Sequence, residues 1–574
     1  MTEPLDPSAA VGRVIGTDPA TPLEFWVAVR EGAFLQLDDV LVLERRLPGQ
    51  SEPIRIYGMV ADLRARHEGA RFDSDVFLIE NGVLPAEVTE AARVLATRFE
   101  PEVYVTPLPG QLVSKATGDA RDQALFFDGM KRKIPAGLSR DGEIVHANLE
   151  FLDGTRGAHV NISGVSGVAT KTSYAIFLLH ALFRSGELGA GAHNTKALVF
   201  NVKGEDLLFL DRDNRELDGE QAARYAALGL PAEPFQSVEL WAPPRPGDSS
   251  AAPMTGSRAG GVTAFFWTLE EFCTDGLLPF LFADADDERQ QYTMVVHNVT
   301  ARLQREAQAV GDGAVRVGGV TCRTFKQLAN TLSDLLDDED TRYDWAGRSI
   351  GTGTINAFAR RLHAGGKDLG HLVRGDVPNP DKHRLNFQKQ LAVVDIAKLS
   401  SRAQRFVVGV VLRRTFERKE ETGSRKPLLF VVLDELNKYA PREGRSPIKD
   451  ILLDIAERGR SLGVILIGAQ QTASEVERRI IANSSLRVVG RLDSAEAGRP
   501  EYAFLPPAHR QRATISKPGT MIVSQPELPV PLVLEFPFPA WATRPDEAAP
   551  PDAGEGAQGD PFAGLGPGGD QPSR

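Results

Sequence analysis

Two apolar runs in the second half of the chain end in polar side chains of different kinds. Residues 428–433 are followed by Asp434 and Glu435, and residues 464–469 are followed by Gln470. Short apolar runs are typical of strands buried on both faces of a parallel sheet. We therefore expect two carboxylates and one amide at the carboxyl ends of two neighbouring strands. In a nucleotide hydrolase the aspartate orients the water shell of a metal, the glutamate polarises the attacking water and an amide senses the γ-phosphate.

A strand, a glycine-bearing loop and an apolar helix lie upstream, in the order of a phosphate-binding loop. Backbone N–H groups of such a loop and the N-terminus of the helix cradle phosphates. Lys171 is placed to reach the β and γ phosphates of ATP, and Thr172 to ligate Mg²⁺. The candidate metal residues are thus Thr172 and Asp434. The candidate ATP-binding residues are Gly164, Ser166, Gly167, Thr170, Lys171, Thr172 and Ser173.

The loop departs from the usual pattern in length and in one residue. Six residues instead of five separate Gly164 from Lys171, and Thr170 stands where a glycine normally precedes the lysine. The loop therefore carries an insertion or is degenerate. An ordinary strand–turn–helix with a chance Lys-Thr pair is the alternative for this segment alone. The order of phosphate loop, acidic strand and amide-ended strand favours the functional interpretation.

The helix between the two apolar runs ends with arginines. It has one apolar face after Pro447, and its last turn carries Arg458 and Arg460. Cations at a helix C-terminus are favoured by the helix dipole. Alternatively, one of them acts as an arginine finger offered to a neighbouring subunit. Arg487 and Arg491, on the next predicted strand, compete for that role.

Another predicted strand, at about 196–202, is followed by Lys203, Gly204 and Glu205. Active sites of α/β proteins form at such strand ends. Glu205 is a candidate for holding water or metal, but we interpret it as a solvated loop residue.

The pattern along the chain divides it into regions with different architecture. Residues 1–110 contain short β-rich segments, which predict a small closed barrel of five or six strands with a helix at about 85–99 and a last strand at about 102–107. Residues 111–145 are expected to be a linker. Residues 146–540 alternate strands and helices, so we predict an α/β core with a mostly parallel sheet and an inserted helical region at about 265–345. Residues 541–574 are dominated by Pro, Gly, Ala and Asp and are expected to be disordered.

Bulk properties exclude several classes of protein. The net charge of -11 argues against a surface that coats nucleic acid indiscriminately, although three basic clusters remain candidates for a local channel. The two cysteines have no metal-ligand spacing, which fits a reducing cytoplasm. We find no apolar run of about 18 residues, so no membrane span is expected. The acidic N-terminus lacks the apolar segment of a signal peptide. The basic clusters are 131–133, 360–374 and 382–389.

Over residues 8–540 the chain resembles bacterial HerA-type ATPases of the HerA/FtsK branch of P-loop DNA translocases. The resemblance lies in residues 433–441, 457–463 and 468–471, and in the barrel segments 11–16, 22–25 and 37–40. It implies a RecA-like ATPase core, an N-terminal HAS barrel and a homo-hexameric ring with ATP sites between subunits. It also implies double-stranded DNA as substrate and a NurA-type nuclease as partner.

Carried over residue by residue, the resemblance gives each candidate a role. Lys171 and Thr172 match the phosphate and magnesium positions, Asp434 the residue that binds the magnesium's water, Glu435 the catalytic glutamate and Gln470 the sensor.

Three functions are consistent with the sequence. The first is an ATP-driven hexameric DNA translocase that acts with a NurA-type nuclease in DNA-end resection and recombinational repair. The second is a HerA-like ATPase ring that scaffolds and gates an effector in antiphage defence. The third, motivated by Thr170 and the longer loop, is a nucleotide binder that does not hydrolyse ATP.

Overall fold

The computed structural model describes residues 6–50, 52–165, 171–258, 260–282 and 290–548. In these ranges the chain forms an N-terminal barrel and a large mixed sheet covered by helices on both faces. The predicted α/β class, with a small barrel and a mostly parallel sheet, is confirmed.

The barrel is closed by six antiparallel strands in the order β1-β2-β5-β4-β3-β6. Its interior is filled by apolar side chains such as Phe25, Leu43 and Val94, which alternate with outward-facing residues along each strand. The strands are β1 Ala10–Val14, β2 Glu24–Val29, β3 Val40–Arg45, β4 Ile54–Glu68, β5 Glu87–Glu100 and β6 Leu112–Lys115, with helix α1 Asp75–Glu80 between β4 and β5.

Two details of the barrel prediction are wrong. The expected helix at about 85–99 is strand β5, which pairs with β4 from Arg55↔Glu100 to Glu68↔Glu87. Pairing with β4 and burial of alternate residues in the barrel override the helix propensity of its Ala and Glu residues. The closing strand is β6, not residues 102–107, because β6 is the segment that pairs with both β1 and β3.

The expected linker at 111–145 is also largely structured. It contains β6, helix α2 Asp119–Ala124, strand β7 Lys133–Leu138 and the start of β8 Ile144–Asn148. Strands β7 and β8 form an antiparallel pair at one end of the large sheet, so this stretch joins the barrel to the core.

The first half of the core carries strand β9, which leads into the phosphate-loop segment, and strand β10, which ends before Lys203. Its elements are β9 Val160–Ser163, α3 Lys171–Arg184, β10 Lys196–Asn201, α4 Gly219–Ala227, β11 Val238–Ala242 and β12 Val262–Ala264.

A mostly helical region is inserted before the next strand of the large sheet. The predicted helical region at about 265–345 coincides with the first part of this insertion. A three-stranded antiparallel sheet interrupts it at 308–322. Val315 and Val317 face the core while Arg316 faces outward, and this alternation is typical of a strand and not of a helix. Its elements are β13 Trp267–Thr268, α5 Leu269–Thr274, α6 Leu278–Leu281, α7 Gln290–Glu306, β14 Gln308–Gly311, β15 Ala314–Val317, β16 Val320–Cys322, α8 Phe325–Asp337, α9 Arg342–Ala346, α10 Thr352–Leu369 and β17 Val373–Arg374.

The second half of the core carries the strands of the two apolar runs and closes the sheet. Its elements are β18 Leu391–Asp395, α11 Ser401–Thr422, β19 Leu429–Leu433, α12 Leu436–Tyr439, α13 Pro447–Leu462, β20 Val464–Gln470, α14 Arg478–Ala482, β21 Leu486–Val489, α15 Ser494–Ala497, α16 Pro507–Ile515, β22 Thr520–Ser524, β23 Leu532–Glu535 and α17 Pro545–Ala548.

The predicted start of the disordered tail at 541 differs from the structure. Trp541 and Ala542 are buried, and the backbone N–H of Thr543 donates to Glu547 at 2.6 Å. These contacts hold the chain in place up to α17, and residues 549–574 lie outside the described part.

The large sheet has the strand order β12-β11-β18-β10-β19-β20-β9-β21-β22-β23-β7-β8. Pairing is parallel from β12 to β21 and antiparallel from β21 to β8. Successive residues of the central strands enter different cores: Leu198 and Phe200 lie in one, Ala197 and Val199 in the other. Burial on both faces explains why these strands are continuous apolar runs.

No helix within the described ranges is both long and apolar enough to cross a membrane.

Candidate functional site

The carboxyl ends of three adjacent parallel strands meet at one edge of the large sheet. In the register of the pairs, Gln470 of β20 lies beside Ser163 of β9, and Gly468 of β20 beside Leu433 of β19. Strand β20 therefore separates the strand that enters the phosphate loop from the strand that carries the acids. This strand order places Gln470 between the phosphate loop and the acidic strand end, at the edge where ligands of open α/β sheets bind.

A hydrogen bond links the phosphate-loop helix to the acidic strand. Thr172 Oγ1 donates to Asp434 Oδ2 at 2.8 Å, although the two residues are 262 positions apart in the chain. The other oxygen, Asp434 Oδ1, accepts the backbone N–H of Glu435 at 2.7 Å. The hydroxyl and the carboxylate are oxygen ligands of the kind that Mg²⁺ prefers.

Lys171, the first residue of α3, is only 6% exposed. Burial lowers the pKa of its ammonium group, while the neighbouring carboxylates of Asp434 and Glu435 act in the opposite direction. A largely buried ammonium group needs charged partners, and the two carboxylates supply them in the absence of a ligand. This arrangement suits a residue that binds phosphate.

The loop itself is described only at its first residues. The Gly164 backbone N–H donates to Gln470 O at 3.2 Å, and the Val165 N–H to Arg491 O at 2.7 Å. A Cβ on Gly164 would lie 3.2 Å from Arg491 O, so a side chain there would crowd the next strand end. Ser173 is half-buried on α3. Three candidates, Ser166, Gly167 and Thr170, lie outside the described residues.

Glu435 is held in an unusual backbone conformation between two lysines. Its φ of 55° and ψ of 43° are left-handed, a region that non-glycine residues adopt at a cost of about 1–3 kcal/mol and mostly at functional sites. Lys203 pairs with its Oε1 and Lys438 with its Oε2. Burial raises the pKa of Glu435, but the two lysines outweigh it and hold the pKa below its ordinary value.

Gln470 is completely buried and partly hydrogen-bonded. Its Nε2 donates to Asn161 Oδ1 at 3.0 Å and to Ser163 Oγ at 2.8 Å. Its Oε1 has no hydrogen-bond partner in the described part of the chain. Because buried polar atoms are normally paired, this acceptor is available to a water or ligand at the strand end.

Arg458 and Arg460 lie at the opposite edge of the sheet. They belong to the last turns of α13, just before β20 begins, and the seven residues of β20 span about 20 Å. Arg460 donates to Gly154 O at 3.2 Å and Thr155 O at 2.8 Å, and Arg458 pairs with Glu420. Neither arginine therefore reaches Glu435 of its own chain.

The competing arginines occupy different positions. The guanidinium of Arg487 lies 5.4 Å from the ring centre of Phe504, and burial lowers its pKa. Arg491 is exposed, and its backbone carbonyl contacts the phosphate loop through Val165. Arg491 is thus nearest to the loop within the same chain.

The sequence did not predict a role for Lys203. The only sequence feature that pointed to Lys203 was its position after β10, which is the neighbour of β19 in the sheet. Glu205, interpreted from sequence as solvated, instead accepts the Ser257 N–H at 3.0 Å and lies 3.6 Å from Lys398 Nζ. It joins two loops and does not contact Asp434 in the described structure.

The next strand end carries a buried acid. Asp395 Oδ1 accepts from Asn201 Nδ2 at 2.9 Å and from the Ala397 N–H at 3.2 Å. Burial raises the pKa of Asp395 to about 6. No group of three or more His, Cys, Asp or Glu side chains suited to a metal occurs in the described ranges.

No protein-family model matches this chain, and no curated protein matches it. Among solved structures, VirB4 of Thermoanaerobacter pseudethanolicus aligns at 14% identity over 73% of this chain and 99% of that chain, with a TM-score of 0.43. The plasmid coupling protein TrwB in complex with ADP and Mg²⁺ aligns at 12% identity over 72% and 93% of the two chains, with a TM-score of 0.41.

A shorter similarity is to the genome packaging NTPase B204 from Sulfolobus turreted icosahedral virus 2, in complex with ATP-gammaS. It has 10% identity, covers 26% of this chain and 70% of that chain, and has a TM-score of 0.20. All these values are too low to assign the chain to a family.

Asp395→Asn tests the buried charge at this edge. The folded protein binds the Asp395 proton more tightly than the unfolded chain does, because the pKa rises from 3.8 to about 6. The ionised form therefore costs stability above about pH 6, and the cost disappears as the pH falls toward 4. The asparagine keeps an Oδ1 acceptor for Asn201 and Ala397. We expect the variant to be more stable than the wild type at about pH 8, by at most about 3 kcal/mol.

Urea unfolding of both proteins across the pH range measures this difference. The gain should shrink toward zero near pH 4. Asp381→Asn, at an exposed position, serves as the control for the substitution itself. A constant difference between Asp395→Asn and the wild type at every pH would contradict the prediction.

Proposed function

We propose that the chain is a Mg²⁺-dependent ATP hydrolase that drives the movement of double-stranded DNA. The hydrogen bond from Thr172 to Asp434 is the observation that carries the hydrolase part, because it joins the helix after a phosphate loop to an acidic strand end. The buried Lys171 and the adjacent Glu435 supply the other groups that phosphoryl transfer requires.

The residues present fit ATP and Mg²⁺. Mg²⁺ usually keeps several waters and takes one or two protein oxygens together with substrate phosphates, which suits the small ligand set of Thr172 and Asp434. Bound Mg²⁺ would neutralise charge on the phosphates. The buried ammonium of Lys171 would bind phosphate oxygens, and Gln470 Oε1, which has no partner among the described residues, would accept from a water.

Glu435 is the group we assign to the attacking water. A carboxylate within hydrogen-bond reach of a water orients it and takes its proton as the oxygen attacks the γ-phosphorus. Asp434 is assigned to the metal instead, because its Oδ2 accepts the hydrogen bond from Thr172, the other candidate metal ligand. We therefore assign Asp434 to the water shell of the metal and Glu435 to the attacking water.

The position of the arginines supports sites shared between subunits. Arg458 and Arg460 lie about 20 Å from Gln470 along β20, too far to act on the same chain's site. In a homo-hexameric ring each subunit would offer one of them to its neighbour's ATP, where a guanidinium stabilises charge in the transition state. Arg460 is our first candidate.

The DNA part of the proposal is supported by the sequence resemblance and by one basic helix face. Arg360 and Lys367 are exposed on α10 and lie seven residues apart, which is two turns of helix. Six copies around a ring would present a basic surface to the phosphate backbone, with strong salt dependence. The 131–133 cluster fits less well, because Arg132 pairs with Asp153. Arg374, at the end of the 360–374 cluster, pairs with Asp376 and is not part of this helix face.

A NurA-type nuclease is the partner we propose, with DNA-end resection and recombinational repair in the cytoplasm as the process. This part is supported by the resemblance alone.

The second candidate, a ring that assembles and gates an effector, is favoured by an exposed apolar hairpin tip. Strands β4 and β5 carry between them Phe72, Phe77 and Val83, which are 72%, 63% and 70% exposed. Such side chains are suited to contact with another protein. Two experiments separate the two candidates. If the protein displaces a triplex strand from duplex DNA, it is a DNA translocase. If it assembles an effector in an ATP-dependent manner without displacing the strand, it is a ring scaffold.

Glu435→Gln tests the role of the nucleophile-activating carboxylate. The amide retains the size of the side chain but cannot take a proton, so we expect ATP turnover to fall by about 10²–10⁴-fold with ATP affinity changed less than about twofold. Phosphate release and binding of a fluorescent ATP analogue measure the two quantities. Glu220→Gln, in the first turn of α4, is the matched control. Wild-type turnover by Glu435→Gln would contradict the assignment.

Mixed rings test whether Arg460 acts on a neighbour. Arg460→Ala and Glu435→Gln should each be inactive alone. After co-assembly in equal amounts, about one interface in four would combine an intact Glu435 with an intact Arg460 and regain activity. Phosphate release from the mixture measures this recovery.

The same mixture with Arg458→Ala shows which arginine is used. Thermal unfolding of each variant checks that loss of the Arg460 contacts to Gly154 and Thr155 has not unfolded it. Activity of pure Arg460→Ala would contradict the use of Arg460, and no recovery in either mixture would contradict the shared site.

A further inference from the structure

Both carboxylate oxygens of Glu435 are paired with ammonium groups. Lys203 pairs with Oε1 and Lys438 with Oε2. The glutamate side chain is only 9% exposed, whereas those of Lys203 and Lys438 are 50% and 48% exposed. The acid is thus fixed in the protein, while each lysine reaches it from solvent.

A carboxylate in this state is poorly prepared to activate water. Water must approach an oxygen lone pair within hydrogen-bond distance, and its proton must move to an oxygen with free negative charge. Here an ammonium group lies within ion-pair distance of each oxygen and offsets the charge, although Oε2 accepts no hydrogen bond in the described structure. At least one pair must open before Glu435 acts.

The two lysines differ in how they relate to Glu435. Lys438 is three residues away, on α12, and moves with the glutamate. Lys203 belongs to a different strand end, after β10, and reaches Glu435 across the boundary between β10 and β19. Its loop also carries Glu205, which binds Ser257 and lies near Lys398. Movement of these loops would therefore shift Lys203 relative to Glu435.

We propose that Lys203 is a positioning residue that holds Glu435 in a resting state, and that its release permits hydrolysis. The inference rests on the proposed function, since it concerns the same carboxylate. In this scheme Lys203 restrains turnover in the absence of DNA, and rearrangement of the loops after β10 and β18 on DNA binding removes the restraint.

Lys203→Met tests the restraint. We expect the rate of phosphate release without DNA to rise at least about fivefold, with the rate with DNA and the KM for ATP changed less than about twofold. Lys203→Arg keeps the charge and should retain the low rate without DNA. Lys326→Met, which removes an exposed lysine on α8, is the control and should behave as the wild type. A rate without DNA that is unchanged or lower in Lys203→Met would overturn the proposal.

Thermal unfolding without nucleotide tests the pair independently of ATP turnover. We compare the Tm of the wild type, Lys203→Met, Glu435→Gln and the double variant. If the pair exists, the effect of Lys203→Met is largely lost in the Glu435→Gln background, because the glutamine has no charge to pair. The effect of Lys326→Met should be the same in both backgrounds.

An equal Tm shift of Lys203→Met in the two backgrounds would overturn the pair itself. If the wild type does not hydrolyse ATP, the proposed function fails, and the Tm cycle still decides whether Lys203 holds Glu435.

Discussion

Parallel pairing of β9, β20 and β19 is the constraint on which the rest of the site depends. It places Ser163, Gln470 and Leu433 at one edge in register, so that the residues that follow each strand converge. The Thr172–Asp434 hydrogen bond then ties α3 to the acidic strand end. A shift of one residue in any of these pairs would turn alternate side chains into the wrong core and separate the polar ends.

The parallel pairing of these strands also places charged and polar side chains where their burial lowers the stability of the fold. Lys171 and Glu435 are buried charges, and Glu435 also adopts a left-handed backbone. Gln470 keeps one buried acceptor without a partner in the described chain. These features make little sense as stabilising devices, but they are what a site needs if an anionic ligand and a metal complete its charges. The apolar strands beneath them, buried on both faces, supply the stability that the edge lacks.

The sequence predicts this edge well because its signals are local. An apolar strand that ends in two acids is visible in a few residues, and parallel topology brings such ends together. The strand β5 was predicted as a helix because its pairing with β4 lies outside any local window. The contact of Lys203 with Glu435 was missed for the same reason, since it depends on which strands are neighbours. Arg458 and Arg460 were recognised as candidates, but only the order of α13 and β20 shows that they face the other edge.

Phosphate release from ATP by the purified wild-type protein, with Mg²⁺ and with EDTA, tests the central claim most directly. The account predicts release that requires Mg²⁺ and rises when duplex DNA is added. Folded protein that binds no ATP, or that releases phosphate equally well in EDTA, would contradict it.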